Sequence, residues 1–401
     1  MRIGLIYTNK SEFRGGGYTF QEELLKEISK NKNVKIKYFL FNTKKFKRKK
    51  NAHYQNKFEI IYLIKKNFFH SLLENLIHNF SFFSERTRYK TVLDKACKKF
   101  NIDLILFLDN SHNLHTNFPY ITIVYDLDHL NYPFFPEYSQ NYAWYKRENR
   151  LSNHLRKASA IITGTNYGIS EIYNYYGIPK HKIFKLPHPS IELETKENNE
   201  KPKKYSLDKL SLTEKKYIIY PAQFWSHKNH ISLVSLGKLL KKKYDNEVKI
   251  VLTGKDKGNL NYILDEIKKN NLEDLFVVPG FIEKDFLILL YKNALALSYV
   301  SYGGPENLPP LEAFSVGCPV IATKNDASME QLGDAAVLID PNNSEEFLTT
   351  VEKIINDKNF RDNLILKGKE RSKSWSISNF VEGLTNILVN FKKYIKSWKC
   401  L

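Results

Sequence analysis

The residues best suited to chemistry are gathered in "YGGPENLPPLEAFSVGCPVIA", residues 302–322. Gly303 and Gly304 allow a ligand to approach the backbone closely. Pro309 and Pro310 have the fixed φ and the missing N–H that suit the first positions of a helix. That helix is expected to run through "LEAFSV" to Gly317, an ordinary C-terminal stop. Its N-terminus, near Glu306, Asn307 and Leu308, offers N–H donors and positive dipole potential to an anion. Glu312 is read into the first turn, where the same dipole favours any acid, so helix physics alone makes it unremarked.

Other segments carry chemistry at the ends of apolar runs. In "YPAQFWSHKNH", residues 220–230, Lys228 precedes a helix and can place its ammonium on a diphosphate. His227 and His230 have H-x-x-H spacing but no third ligand, which is weak support for zinc. "VYDLDHLNYPFFPEY", residues 124–138, sets Asp126, Asp128 and His129 at the carboxyl end of a strand. The D-x-D spacing can hold a divalent metal, although the remainder of the chain argues for another architecture. The aromatic and proline-rich residues that follow read as a loop lining an acceptor pocket or as a structural loop. In "TNKSEFRGGGYTFQEELLKEI" a glycine run including Gly16 and Gly17 follows the first strand. It lacks the full G-x-G-x-x-G spacing and the acidic partner of a dinucleotide site, and a plain flexible loop fits it equally well.

These segments need a scaffold that ends strands beside helices. Strand patterns fall at 2–7, 35–41, 103–108, 120–125 and 159–163, and again at 217–222, 248–253, 275–278, 294–299, 319–323 and 336–339. Helical patterns between them include 18–30, 141–157, 168–176, 229–243, 259–269 and 284–292, and the chain reads mostly helical from 344. This alternation predicts an α/β class with parallel sheets wrapped by helices. The charged, apolar-poor stretch 192–216, broken by Pro202, is the expected linker. The division is then a Rossmann-like domain over 1–191, a linker over 192–216 and a second Rossmann-like domain over 217–380. A helix over 381–401 is expected to pack back on the first domain. Trp375 and Trp398 read as packing anchors. The cleft between facing carboxyl edges is the expected site.

Composition narrows the setting. The 401 residues are 42% hydrophobic and 14% aromatic, as an ordered globular chain should be. Cys97, Cys318 and Cys400 lie far apart, which suits a reducing compartment and gives no disulfide framework. No apolar run approaches the roughly 18 residues that span a bilayer, and no secretory signal is visible. The net charge of +19 is concentrated early: residues 1–100 hold 23 Lys and Arg against 8 Asp and Glu, with "KKFKRKK" at 44–50. Such a patch attracts an anionic bilayer, a nucleic acid or an anionic substrate, and charge alone does not choose among them.

The order of the motifs resembles the retaining glycosyltransferases of family 4, whose GT-B architecture has two facing Rossmann-like domains. The resemblance covers nearly the whole chain and is densest over 217–345, through "YPAQFWSHKNH", "VLTGKD", "PGFIEKDFLILLYKNALA", the 302–322 stretch and "GDAAVLIDPNN". It implies that Glu312 accepts hydrogen bonds from the donor's ribose, that Lys228 neutralises its diphosphate, and that Asp126 faces the transferred sugar. Backbone around Glu306, Asn307 and Leu308 would contact sugar and phosphate. Gly16 and Gly17 would approach the nucleotide from the first domain, and Thr253 and Gly254 of "VLTGKD" would lie on the donor side. Three positions depart from the family's pattern. Gly304 stands where the first of two glutamates is expected, with Glu306 the candidate to replace it. Gln223 lies nearest the place of a missing arginine. Tyr125 replaces a histidine before Asp126, with His129 the acceptor-side candidate for its role.

The resemblance thus implies transfer of a sugar, with retention, from a UDP- or GDP-sugar to a glycan or lipid-linked acceptor in surface polysaccharide synthesis. No metal or other cofactor is expected, and no nucleic-acid partner. The protein is expected to be cytoplasmic, docking on the anionic inner membrane face through its basic first domain. Two alternatives remain at this level: a nucleotide-sugar epimerase on the same architecture, and a non-enzymatic polyanion binder supported only by charge.

Overall fold

The computed structural model describes residues 1–7, 16–30, 36–42, 57–63, 93–109, 116–189, 206–374 and 376–395. The basic run 44–50, residues 192–205 of the expected linker, Trp375 and Trp398 lie outside the described residues. Two sheets are present, and every pairing in both is parallel.

The first sheet contains β1 (Arg2–Tyr7), β2 (Lys37–Asn42), β3 (Glu59–Tyr62), β4 (Leu104–Phe107), β5 (Tyr120–Ile123), β6 (Ala160–Thr163) and β7 (Ile183–Lys185). Their order is β3-β2-β1-β4-β5-β6-β7. The second contains β8 (Tyr217–Pro221), β9 (Lys249–Thr253), β10 (Phe276–Gly280), β11 (Ala296–Tyr299), β12 (Val320–Thr323) and β13 (Val337–Ile339), in the order β10-β9-β8-β11-β12-β13. Both orders reverse next to their first strand, which makes a switch point between β1 and β4 and another between β8 and β11. The strands β4, β5 and β6 are fully buried, which is why they read as unbroken apolar runs. The edge strands β3 and β7 were not expected from the sequence. β7 has three residues and buries only Ile183, so no periodic pattern marks it; pairing to β6 makes it a strand.

Each sheet is covered on both faces. Leu24, Leu25 and Ile28 of the helix Gly16–Lys30 pack with Leu5, Leu106 and Ile121 on one face of the first sheet. On the other face Leu151, Leu155 and Ile172 pack with Phe39, Phe107 and Ile161. The helix Ile377–Ile395 returns from the far end of the chain to the first of these faces, burying Phe380, Val381, Leu384 and Leu388 there. Ser378 Oγ also donates to Glu27 Oε1 at 3.0 Å. Residues 206–216 pack with the second domain: Leu212 lies in its core, and Lys215 Nζ donates to the carbonyls of Lys292 (2.7 Å) and Ala294 (3.0 Å). No helix among the described residues is long and apolar enough to cross a membrane.

Leu384 is wholly buried at the joint between the last helix and the first sheet. Leu384→Ala should therefore cost about 2–5 kcal/mol, read as a lowered chemical-denaturation midpoint of the first domain. An unchanged midpoint would show that the helix contributes no stability there.

Candidate active site in the interdomain cleft

The second switch point sets Lys228 beside the glycine turn. After β8 a short 3-10 turn, Ser226–Lys228, is followed by Asn229 at φ +54° and the helix His230–Tyr244. Tyr220 fixes this turn by donating from its hydroxyl to the Lys228 carbonyl at 2.6 Å. Lys228 Nζ then reaches Ser301 Oγ (3.2 Å) and Tyr299 Oη (3.3 Å) beyond the end of β11. Ser301 Oγ donates in turn to the Gly303 carbonyl at 2.8 Å. Gln223 Oε1 accepts from Trp225 Nε1 at 3.1 Å. Thr253 is buried at the end of β9, and the backbone of Gly254 runs so close to β8 that a Cβ there would collide with the Ala222 carbonyl.

The 302–322 stretch folds as a turn followed by the helix Leu308–Ser315. The helix begins one residue earlier than its prolines suggest, so Glu312 falls in the second turn and not the first. The dipole favours acids chiefly within the first turn, so that ordinary explanation for Glu312 is removed. Glu312 Oε2 accepts from Tyr291 Oη at 3.1 Å, and burial raises its pKa from the ordinary glutamate value. Gly304 sits at φ +94°, with Asn307 Oδ1 2.7 Å from where a Cβ would stand. The turn therefore has no room for the glutamate that the family pattern places there. The Asn307 amide is occupied by Gln331 Oε1 at 3.0 Å, and Pro309 and Pro310 carry no N–H. The helix N-terminus thus presents fewer donors than a proline-free one.

The first domain meets this turn with the residues after β5. Arg147 Nη2 donates to Asp126 Oδ1 at 2.5 Å and to its carbonyl at 2.9 Å. The guanidinium holds the Asp126 carboxyl below its ordinary range, against the opposing effect of burial. Asp128, 5% exposed, accepts from Tyr138 Oη at 3.3 Å and lies against the glycine turn across the cleft. A Cβ on Gly303 would overlap its carboxylate. Burial, and then the Asp126 charge, push Asp128 up to about 7. His129 is fully buried with Nε2 3.2 Å from Glu148 Oε2, and burial lowers it to about 4. Its ring is thereby engaged behind the cleft. Tyr125 donates to the Leu108 carbonyl at 2.6 Å, and its ring stands 3.7 Å from a Cβ built on Gly17. Gly16 faces Leu308, whose Cδ1 lies 3.1 Å from the corresponding position. Gly16 and Gly17 thus lie on the cleft, as does Asp128.

Several carboxylates cross between the domains. Glu306 Oε1 accepts from His188 N–H at 2.7 Å, and its Oε2 pairs with the His188 ring. Glu137 Oε1 accepts from His227 N–H at 2.9 Å and pairs with that ring. Glu330 accepts from Asn166 N–H at 2.7 Å, at the first turn of the helix Asn166–Tyr176, and from Lys185 Nζ at 3.1 Å. Phe135 stacks on Tyr302 at 5.8 Å and Tyr138 on His227 at 5.3 Å. The aromatic loop of the first domain is therefore a strap onto the second. His230 lies buried against Phe224 at 4.4 Å, so the two H-x-x-H rings have separate surroundings. Among the described residues, no group of three or more His, Cys, Asp and Glu is arranged to hold a metal ion.

Sequence reasoning passed over Arg147, His188, Tyr291 and Gln331. Arg147 sits in a charged helix and His188 between prolines, where nothing local marks either one. Asp128 had a signal, its D-x-D spacing, but nothing in the sequence ranked it above Asp126.

Fold and cleft are those of a known class. Residues 203–371 match the model of the family described as glycosyl transferases group 1. Over 98% of its length the chain superposes on 99% of a sucrose-phosphate synthase from Thermosynechococcus elongatus, with a TM-score of 0.71 at 15% identity. Over 97% it superposes on the whole of HepE from Anabaena, solved with UDP and glucose, with a TM-score of 0.70 at 15% identity. The architecture is the GT-B fold, and residues 203–371 carry the similarity to the group 1 glycosyl transferases. Among curated proteins, the chain is 24% identical over 246 residues to O-antigen chain mannosyltransferase B of Escherichia coli. That match covers 61% of this chain and 64% of the relative.

The raised Asp128 has a measurable consequence. Its folded pKa of about 7 exceeds the unfolded value of roughly 3.9, so it contributes stability at low pH that is lost as pH rises through that window. Asp128→Asn stays neutral throughout. Its melting temperature relative to wild type should rise between pH 5 and pH 8; a constant difference would show that Asp128 ionises as in water.

Proposed function

We propose that this protein transfers a sugar, with retention, from a UDP- or GDP-sugar to a glycan or lipid-linked acceptor in surface polysaccharide synthesis. The observation that carries the reading is the chain Lys228–Ser301–Gly303 at the second switch point. It joins a fixed cation to a side-chainless turn at the carboxyl ends of β8 and β11. A departing nucleoside diphosphate builds negative charge on its phosphate oxygens, and an ammonium held in place stabilises that charge without reorganising. The start of the helix Leu308–Ser315 adds positive potential on the same side. Glu312, on the next turn and held by Tyr291, is the acceptor for the ribose hydroxyls.

Lys228 supplies the charge that a divalent cation provides elsewhere, so turnover is expected to persist in EDTA. The name of the Escherichia coli relative makes mannose the first sugar to try and a polysaccharide repeat the first acceptor. The charge of the first hundred residues, 23 Lys and Arg against 8 Asp and Glu, supports docking on an anionic inner leaflet, where lipid-linked acceptors reside. The cellular place that follows is cytoplasmic and peripheral.

A thermal-shift panel of nucleotides and nucleotide sugars, followed by turnover with lipid-linked acceptors, tests the reading directly. Lys228→Ala should weaken nucleoside diphosphate binding by about 10- to 100-fold, the worth of a hydrogen bond to a charged group. Glu312→Gln should weaken nucleoside and nucleotide-sugar binding together while leaving the melting temperature near wild type. Full activity in either variant would remove it from the donor site.

A further inference from the structure

We propose that Asp128 is a ligand for the hydroxyl groups of the transferred sugar, reaching from the first domain to Gly303 and Gly304 of a turn whose own acid, Glu306, is engaged by His188. The inference rests on the glycosyltransferase reading and specifies how that site holds the sugar half of its donor.

The case begins with Gly304, whose φ of +94° and closeness to Asn307 Oδ1 exclude a side chain. A carboxylate at the turn must then come from another residue. Each of the other acids nearby has its own partner or its own task. Glu306 is held by the backbone and ring of His188, Glu312 by Tyr291, and Asp126 by Arg147. Asp128 alone among these four lies against Gly303, its carboxylate filling the space that a Cβ there would need. Lys228 acts on it electrostatically from the diphosphate side.

The surroundings of Asp128 fit a ligand rich in hydroxyl groups. The Tyr138 hydroxyl at 3.3 Å donates to it, although a carboxylate has about four lone-pair sites. Asp126 opposes its charge, and Arg147 and Lys228 favour it. Sugar hydroxyls would supply further donors to this carboxylate. In the donor-free protein the carboxylate thus occupies the place that the sugar takes.

The test separates the sugar from the nucleotide. Full-length wild type, Asp128→Asn and Asp128→Ala are titrated calorimetrically with UDP, GDP, UDP-glucose and GDP-mannose. Both variants should bind the effective nucleoside diphosphate within about twofold of wild type, yet lose about 10- to 100-fold in affinity for the matching nucleotide sugar. Equal losses for nucleotide and nucleotide sugar, or wild-type affinity for the sugar form, would overturn the assignment. Loss of the cooperative melting transition in the isosteric Asp128→Asn would assign the residue to the fold and also overturn it. Wild type binding none of the four compounds would instead remove the glycosyltransferase reading on which the inference rests.

Discussion

Two parallel sheets that face each other across a cleft must be held together without filling the edges that bind ligands. Here carboxylates of one domain reach main-chain N–H groups of the other. Glu306 takes the His188 amide, Glu137 takes that of His227, and Glu330 takes those that begin the helix Asn166–Tyr176. Such charge-assisted bonds are short, directional and reversible, since water or a ligand hydroxyl can replace either partner. The glycines depend on this closure. Gly16 against Leu308, Gly164 against Glu306 and Gly303 against Asp128 are all positions where a side chain would hold the domains apart.

The same geometry sorts the acids by neighbour. Asp126 is half-buried beside a guanidinium that holds it low, while Asp128, two residues on, is buried beside Asp126 and is pushed up. Two carboxylates on one short segment are thus driven in opposite directions, the usual signature of groups set to different tasks. His129 is lowered by burial and held neutral. The segment 126–129 places three titratable groups in three distinct electrostatic settings within one turn of chain.

Much of the scaffold was legible because its determinants are local. Buried parallel strands need continuous apolar runs, and "DLILFL", "YITIVY" and "YIIYPA" are such runs. β3 and β7 escaped notice because edge strands of three or four residues carry no period of their own and are defined by the neighbours they pair with. The double proline announced the helix Leu308–Ser315, but its first residue was decided by Asn307, which is held by Gln331 24 residues away.

The sequence by itself determined two parallel sheets, the lysine before a helix and the glycine turn, since strand burial and backbone freedom are written in residue types at fixed spacing. Only the tertiary structure decided which carboxylate does what. Asp126 meets an arginine 21 residues on, Glu312 a tyrosine 21 residues back, and Glu306 a histidine 118 residues back, leaving Asp128 against Gly303. The ionisation and reach of a carboxylate are properties of its partners, and those partners are brought to it by folding.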